Sequence, residues 1–361
     1  MILGVFGRYV GLRFARTILF VFLGFFALIF LVDFVELLRR SGDVEGANPL
    51  LVAGLSLLRV PAVAEQILPF AVLFGAMVSL LNLSRRLELV VARAAGLSAW
   101  QFLTPPALAA LAFGLFFVGL YNPVSATLKQ RADRIETRLF GKTGSTDVDT
   151  SMWIRQRSVD GQAIIRAEKS SDAGAVLAGV TVFLFEPNGR FMERVEAARA
   201  RLAPGVWTLE DARVIAPAEE PRDSAIYYLA TNLAPDQVAQ SFVPPDTVPF
   251  WSLPDIRDRT RQAGLDATGY ELRYQTLLAR PLFLVAMVMI AASFSLRFFR
   301  MGGVARSVLG GVTAGFVLYV GTKLVADLGG AGLISAPVAA WSPALVGALF
   351  GTLVVLNQED G

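Results

Sequence analysis

The sequence predicts an α-helical membrane protein of six transmembrane helices, three on each side of an inserted all-β, jelly-roll-like domain. Three observations carry that expectation. Of its 361 residues, 54% are hydrophobic and 17% charged, whereas soluble domains are nearer one quarter charged. The long apolar runs are confined to residues 1–121 and 281–361. Residues 122–280 hold most of the Asp, Glu, Lys and Arg, and there the apolar period shortens towards that of strands.

A helix needs about 20 mainly apolar residues to cross a bilayer, because nothing in the hydrocarbon satisfies an open backbone. Six segments qualify, near residues 17–38, 66–83, 102–121, 281–296, 307–326 and 337–356. The first is too long for a signal-peptide core and lacks a small-residue cleavage site, so it is expected to remain as an anchor. Pro105 and Pro106 are expected in the first turn of the third, where a missing N–H costs least. Basic residues set the orientation. Arg8, Arg13, Arg16, Arg85, Arg86, Arg93, Arg297, Arg300 and Arg306 lie on one side, against Arg39, Arg40 and Arg59 on the other. Both termini are therefore expected in the cytoplasm and the large domain outside.

Within that domain, residues 122–140 are polar and helix-prone and prolong the third span. Residues 177–185 (LAGVTVFLF), 191–202 and 207–215 read as strands, with turns at Pro187-Asn188-Gly189 and Pro204-Gly205. Short strands at this spacing suggest a sandwich or jelly roll. From residue 253 to 280 the pattern returns to helix, with Gly264 as a break. The chain has no Cys and no His, which excludes disulfides, Cys or His metal sites, thiol nucleophiles and imidazole acid–base chemistry. No catalytic or metal site is expected. The formal charge of +3 gives no support to nucleic-acid binding.

Four short features invite a functional reading beside a plainer one. Gly141-Lys142-Thr143 resembles the end of a phosphate-binding loop, but the pattern needs a glycine where Glu136 stands; a polar loop is the better reading. Residues 84–95 read as a helix with Leu87, Val90, Val91, Ala94 and Ala95 on one apolar face and Arg85, Arg86, Glu88 and Arg93 elsewhere. Gly96 supplies its stop. It is either an interfacial helix whose arginines meet anionic lipid or a cytoplasmic coupling helix seated on an ATPase. Asp33 and Glu36, followed by Arg39 and Arg40, lie late in the first span. They either set its depth or meet a charged lipid headgroup, with Glu36 and Arg40 spaced as an ion pair. Lys323 either snorkels to the surface four residues before Asp327 or lines a lipid-sized cavity. Gly311 with Gly315, and Gly347 with Gly351, indicate close helix packing.

Four stretches together resemble the LptF/LptG permease family of lipopolysaccharide export: FVELLRRSG (34–42), RRLELVVARAAGLS (85–98), RQAGLDATGYELRYQTLLARPL (261–282) and AAWSPAL (339–345). The resemblance covers nearly the whole chain and leans towards the LptG branch. It implies a heterodimer with an LptF-like permease, an LptB-like ATPase dimer that binds ATP-Mg, an LptC-like bitopic protein, and no cofactor in this chain. It places the protein in the bacterial inner membrane, passing lipopolysaccharide to a periplasmic bridge. Residues 85, 87, 88, 91 and 93 (Arg85, Leu87, Glu88, Val91, Arg93) would form the ATPase coupling element. Arg39, Arg40, Arg131, Arg134 and Lys323, with Asp33 and Glu36 among them, would face the lipid headgroup. Phe26, Phe30, Phe316 and Tyr319 would contact acyl chains. Asp33 departs from the family, where a base is common nearby. It pairs with Arg40 or a partner's base, or a divalent cation bridges it, or headgroup contact shifts elsewhere. Two other classes compete: a membrane-anchored assembly or receptor protein without transport, and an intramembrane enzyme. The second ranks last because no acid pair sits mid-membrane.

Overall fold

The structure, a computed structural model, describes residues 4–42, 48–140, 152–158, 161–171, 175–186, 189–217, 219–231, 244–262, 266–297 and 304–359. Gly141-Lys142-Thr143, Pro187-Asn188, Gly264 and Arg300 lie outside them. Two compact units are present. One, helical, comprises Met1–Thr143, Asp246–Trp251 and Leu272–Gly361; the other, mainly β, comprises Gly144–Pro245 and Ser252–Glu271. The expected domain limits at 121/122 and 280/281 fall inside continuous helical stretches, so the compact division comes elsewhere.

Six helices of the described residues are long and apolar enough to cross a membrane. Helix α1 (Val5–Ser41) has no internal proline and runs unbroken for 37 residues, about 55 Å at 1.5 Å per residue. It outreaches a hydrocarbon core of about 30 Å by several turns. Helix α2 (Pro49–Arg85) starts well before the expected residue 66. Asn48 caps it by accepting from the Leu50 N–H, and Pro49 takes a first-turn position. Arg59 and Glu65 interrupt its apolar run but find partners, and so the helix continues through them. Gly75 lets α1 and α2 touch: a Cβ there would lie 2.8 Å from the Ile18 side chain and 2.9 Å from its Cα.

The seven-residue α3 (Glu88–Ala94) follows a left-handed Leu87 (φ 58°). The expected helix over 84–95 is thus broken: Arg85 ends α2, and Leu87 is the hinge. Gly96 (φ 82°) does stop α3, with Gly96 N–H donating to Arg93 and Leu97 N–H to Ala92. Helix α4 (Ala99–Phe116) opens on a reciprocal Ser98–Gln101 capping box. That start puts Pro105 and Pro106 in the second turn rather than the first, so the carbonyls of Gln101 and Phe102 lose their helical donors. A π-turn (Phe117–Tyr121) joins α4 to α5 (Asn122–Phe140), and the third span does continue as a polar helix.

After the insert come α6 (Leu253–Gln262), α7 (Thr268–Arg297), α8 (Val304–Gly330) and α9 (Ala336–Glu359). All four glycines flagged for close packing are in close contacts. Cβ atoms at Gly311 and Gly315 would meet Met77 and Leu73 of α2 at 2.7 and 2.3 Å. Those at Gly347 and Gly351 would meet Leu318 and Met289 at 2.6 Å each.

The β unit holds six antiparallel strands: β1 (Met152–Ser158), β2 (Gly161–Ser171), β3 (Val176–Phe185), β4 (Phe191–Ala203), β5 (Val206–Ile215) and β6 (Arg222–Ala230). Each pairs with its neighbours in sequence, so the described strands form a meander, without the crossovers of a jelly roll. Of the three strands the sequence missed, β1 and β2 mix charged with apolar residues, and β6 opens on Arg222 and Asp223 before a short apolar run. The sheet nevertheless rolls. Gln156 of β1 donates to the carbonyl of Ala230 on β6 (3.2 Å) and accepts from Thr231 (2.7 Å), tying the two edge strands together. Inside lies one apolar cluster around the fully buried Trp207. The roll has a crease. Register sets Glu168, Gly179, Ala198 and Asp211 in one row across β2–β5. Gly179 (φ 62°) and Asp211 (φ 54°) are left-handed there. Val182 and Leu177 both face inward although strict alternation would oppose them.

Candidate functional site

The helical unit brings the expected residues to its two ends. At one end a small cluster packs Leu37 of α1, Val52 and Leu55 of α2, and Ala132 of α5. Arg39 and Arg40 follow Leu37 by one short step, and Arg131 and Arg134 flank Ala132; all four are exposed. The expected headgroup cations of α1 and α5 therefore share this end of the bundle. Glu36 accepts from both Arg39 (3.0 Å) and Arg40 (2.9 Å). Asp33 does not pair with Arg40. Its partner is Arg59 of the adjacent α2, at 3.7 Å, which also binds Glu136 of α5 at 3.3 Å. Separation along the helix decides this: Arg40 lies two turns beyond Asp33, about 10 Å along the axis, and is held by Glu36, while Arg59 reaches Asp33 from α2. The second oxygen of Asp33 is buried without a hydrogen bond. Lys323 is exposed on α8, four residues before the exposed Asp327.

The aromatic set is divided between helices. Phe26 and Phe30 are half-buried on α1, where Phe30 stacks on Phe34 at 5.9 Å. Phe316 is 55% exposed on α8, and Tyr319 leans on Phe70 of α2 at 4.8 Å. The wider pattern is asymmetric. Only 11% of the apolar window in α1, and 11% of that in α8, is buried, against 67% for α2 and 72% for α7.

At the opposite end stands α3. Leu89 anchors it in a cluster with Val10, Leu83 and Phe102, and Ala92 is buried as well, while Leu87, Val90 and Val91 are exposed. Arg85 and Arg93 are exposed too, Arg93 lying 6.0 Å from the Phe102 ring centre. Glu88, read from sequence as the charged contact for an ATPase, is bound within the chain and stays 25% exposed. Arg13 of α1 donates to both its oxygens (3.0 and 3.3 Å) and also to the Tyr9 hydroxyl (2.6 Å).

Sequence reasoning missed the most deeply buried charge cluster. Glu65 of α2 is 2% exposed. Its carboxylate accepts from Arg273 (3.0 Å) and Arg280 of α7, from Asn122 (3.0 Å), and from the Ser125 hydroxyl (3.0 Å). Asn122 in turn accepts from the Phe250 N–H, and Trp251 donates to the Gly119 carbonyl within the π-turn. Two signals could have found this cluster. Glu65 is a lone acid between Pro61 and Pro69, and Arg273 and Arg280 lie seven residues apart, two turns of one helix face.

These features define a polytopic helical membrane protein with a rolled β insert, cationic at one end of the bundle and carrying a short, half-exposed apolar helix at the other. Residues 8–357 match the model of the family described as lipopolysaccharide export system permease LptF/LptG. The chain belongs to that family. It is 26% identical over 324 residues to the lipopolysaccharide export system permease protein LptG of Escherichia coli strain K12, covering 88% of each chain. It is 22% identical over 359 residues to the protein of the same name from Haemophilus influenzae, covering 97% of this chain and 95% of that one.

Proposed function

We propose that this chain is the LptG-type permease subunit of an ABC exporter that draws lipopolysaccharide from the inner membrane and hands it to a periplasmic bridge. One observation carries the reading: α1 exposes an apolar flank (Leu23, Leu28, Leu31, Val32, Val35) directly below Arg39 and Arg40. That polarity, tails beside hydrocarbon and cations above, matches a phosphorylated lipid. Three spans precede the insert and three follow it. Both termini are cytoplasmic and the insert is periplasmic, on the balance of basic residues. The edge-to-edge tie through Gln156 supports a jelly-roll-like closure of the insert, which serves as the first piece of the bridge.

Lipid enters beside α1 and α8, through the gaps left for an LptF-like partner. Phe26, Phe30, Phe316 and Tyr319 contact its acyl chains, and Arg39, Arg40, Arg131, Arg134 and Lys323 hold its phosphates. Each acyl CH₂ leaving the bilayer costs about 0.8 kcal/mol, so extraction needs ATP, hydrolysed by an LptB-like dimer. That dimer receives the exposed Leu87, Val90 and Val91. An LptC-like protein completes the assembly.

The test is photo-crosslinking at Phe30, Arg40 and Phe316 in the assembled complex. Capture of lipopolysaccharide, reduced when ATP is added, is expected. Crosslinks to phospholipid alone, or a chain that purifies without an ATPase, would overturn the reading.

A further inference from the structure

We infer that Arg13 and Tyr9 are positioning residues of the transport stroke: by clasping Glu88 they make the coupling helix and α1 move as one body. This rests on the reading above that α3 receives the ATPase. Three observations support it. The clasp is well formed, with Arg13 and Glu88 side chains only 20% and 25% exposed and Tyr9 closing it. Helix α3 is otherwise lightly held, by Leu89 and Ala92 and by a glycine stop. Helix α1 is a continuous rod without proline, whereas α2 carries Pro61 and Pro69.

From Arg13 to Arg39 the rod spans 26 residues, about 39 Å. Its inner end is pinned to the element that meets the ATPase, and its outer end carries the lipid-facing arginines. Little of its apolar window is buried, so α1 is held to the bundle along one narrow face, through Phe14, Ile18 and Phe22. A displacement of α3 then reaches Arg39 and Arg40 through one stiff helix, with no relay of side chains between. In this scheme Glu88 faces inward to α1, and the apolar Leu87, Val90 and Val91 make the ATPase contact.

The experiment uses the full complex with its ATPase in proteoliposomes, reading ATPase copurification and lipopolysaccharide released per ATP hydrolysed. Arg13→Glu should lower release per ATP by roughly tenfold, the scale of a typical intersite coupling. Arg13→Lys should keep most of it, and Tyr9→Phe should lose less than Arg13→Glu. The swap Arg13→Glu with Glu88→Arg should restore coupling; restoration supports the clasp even if Arg13→Glu alone also sheds the ATPase. The clasp is overturned if Arg13→Glu matches the wild type. It is equally overturned if Glu88→Arg expels the ATPase and the swap leaves it expelled. A wild-type complex with no ATPase or no lipid release sinks the permease reading itself, a different result from either.

Discussion

Glu65 and Glu36 each bind two arginines of this chain, yet they do opposite work. Glu65 joins α2, α5 and α7, and its side chain is 3% exposed. Glu36 binds Arg39 and Arg40 on its own helix, and its side chain is 38% exposed. A carboxylate among helices is committed, because neither it nor its partners can turn to water. One at a helix end only lends its charge, and a phosphate can displace it. The first holds the frame and the second tunes a ligand site.

Removing Glu65 should therefore have the largest effect. Glu65→Ala strands two arginines in a dry junction, at a cost of about 3–5 kcal/mol. Unfolding of the detergent-purified protein should show it, or a loss of membrane-inserted yield. Adding Arg280→Met to Glu65→Ala should recover part of the loss, since one unpaired cation then disappears. A Glu65→Ala protein as stable as the wild type would contradict the frame role.

Asp33 sits between the two cases, 16% exposed with Arg59 at 3.7 Å and 29% exposed. Asp33→Asn should cost about 1 kcal/mol or less, because solvent screens the pair and Arg59 keeps Glu136. A loss as large as that of Glu65→Ala would mean burial is a poor guide here.

The contrast also separates what sequence could and could not reveal. The six spans, the polar extension of the third, the β insert and the glycine contacts were legible, because long apolar runs and close small residues have few alternatives. The Arg39–Arg40 end was legible too, since clustered charges stand out beside a hydrophobic run. Glu65, Asp33's partner and the Glu88 clasp were not. Each depends on which residue of a distant helix faces it, 208 positions away for Glu65 and Arg273 and 75 for Arg13 and Glu88. The strands β1 and β2 escaped notice because a rolled sheet buries one face only, and their polar faces look like loop; β6 has only a short apolar run after Arg222 and Asp223.

For Glu36 the expected change is in ligand capture. Glu36→Gln releases Arg39 and Arg40 from their internal acceptor, so crosslinking of lipopolysaccharide at position 30 should rise, by roughly a few-fold given charge-assisted bonds to phosphate. Stability should stay within measurement error. A fall in capture would mean Glu36 orients the arginines rather than competing for them.

Asp258 of α6 gives the weakest member of the series and a check on its sign. Its side chain is 53% exposed against Arg257. The hydrogen bond from Arg257, opposed by slight desolvation and aided by the charges of Arg257 and Arg261, holds its carboxyl below the ordinary value of 3.8. A lowered folded value means that the folded state binds the proton less readily than the unfolded chain. The stabilisation is therefore present in full above the ordinary carboxylate value and fades as pH falls through the lowered one. Asp258→Asn should melt slightly below the wild type at pH 6, and the gap should close under acid. A gap that widened on acidification would reverse the sign. A gap at pH 6 rivalling that of Glu65→Ala would break the link between burial and commitment on which the comparison of the two glutamates stands.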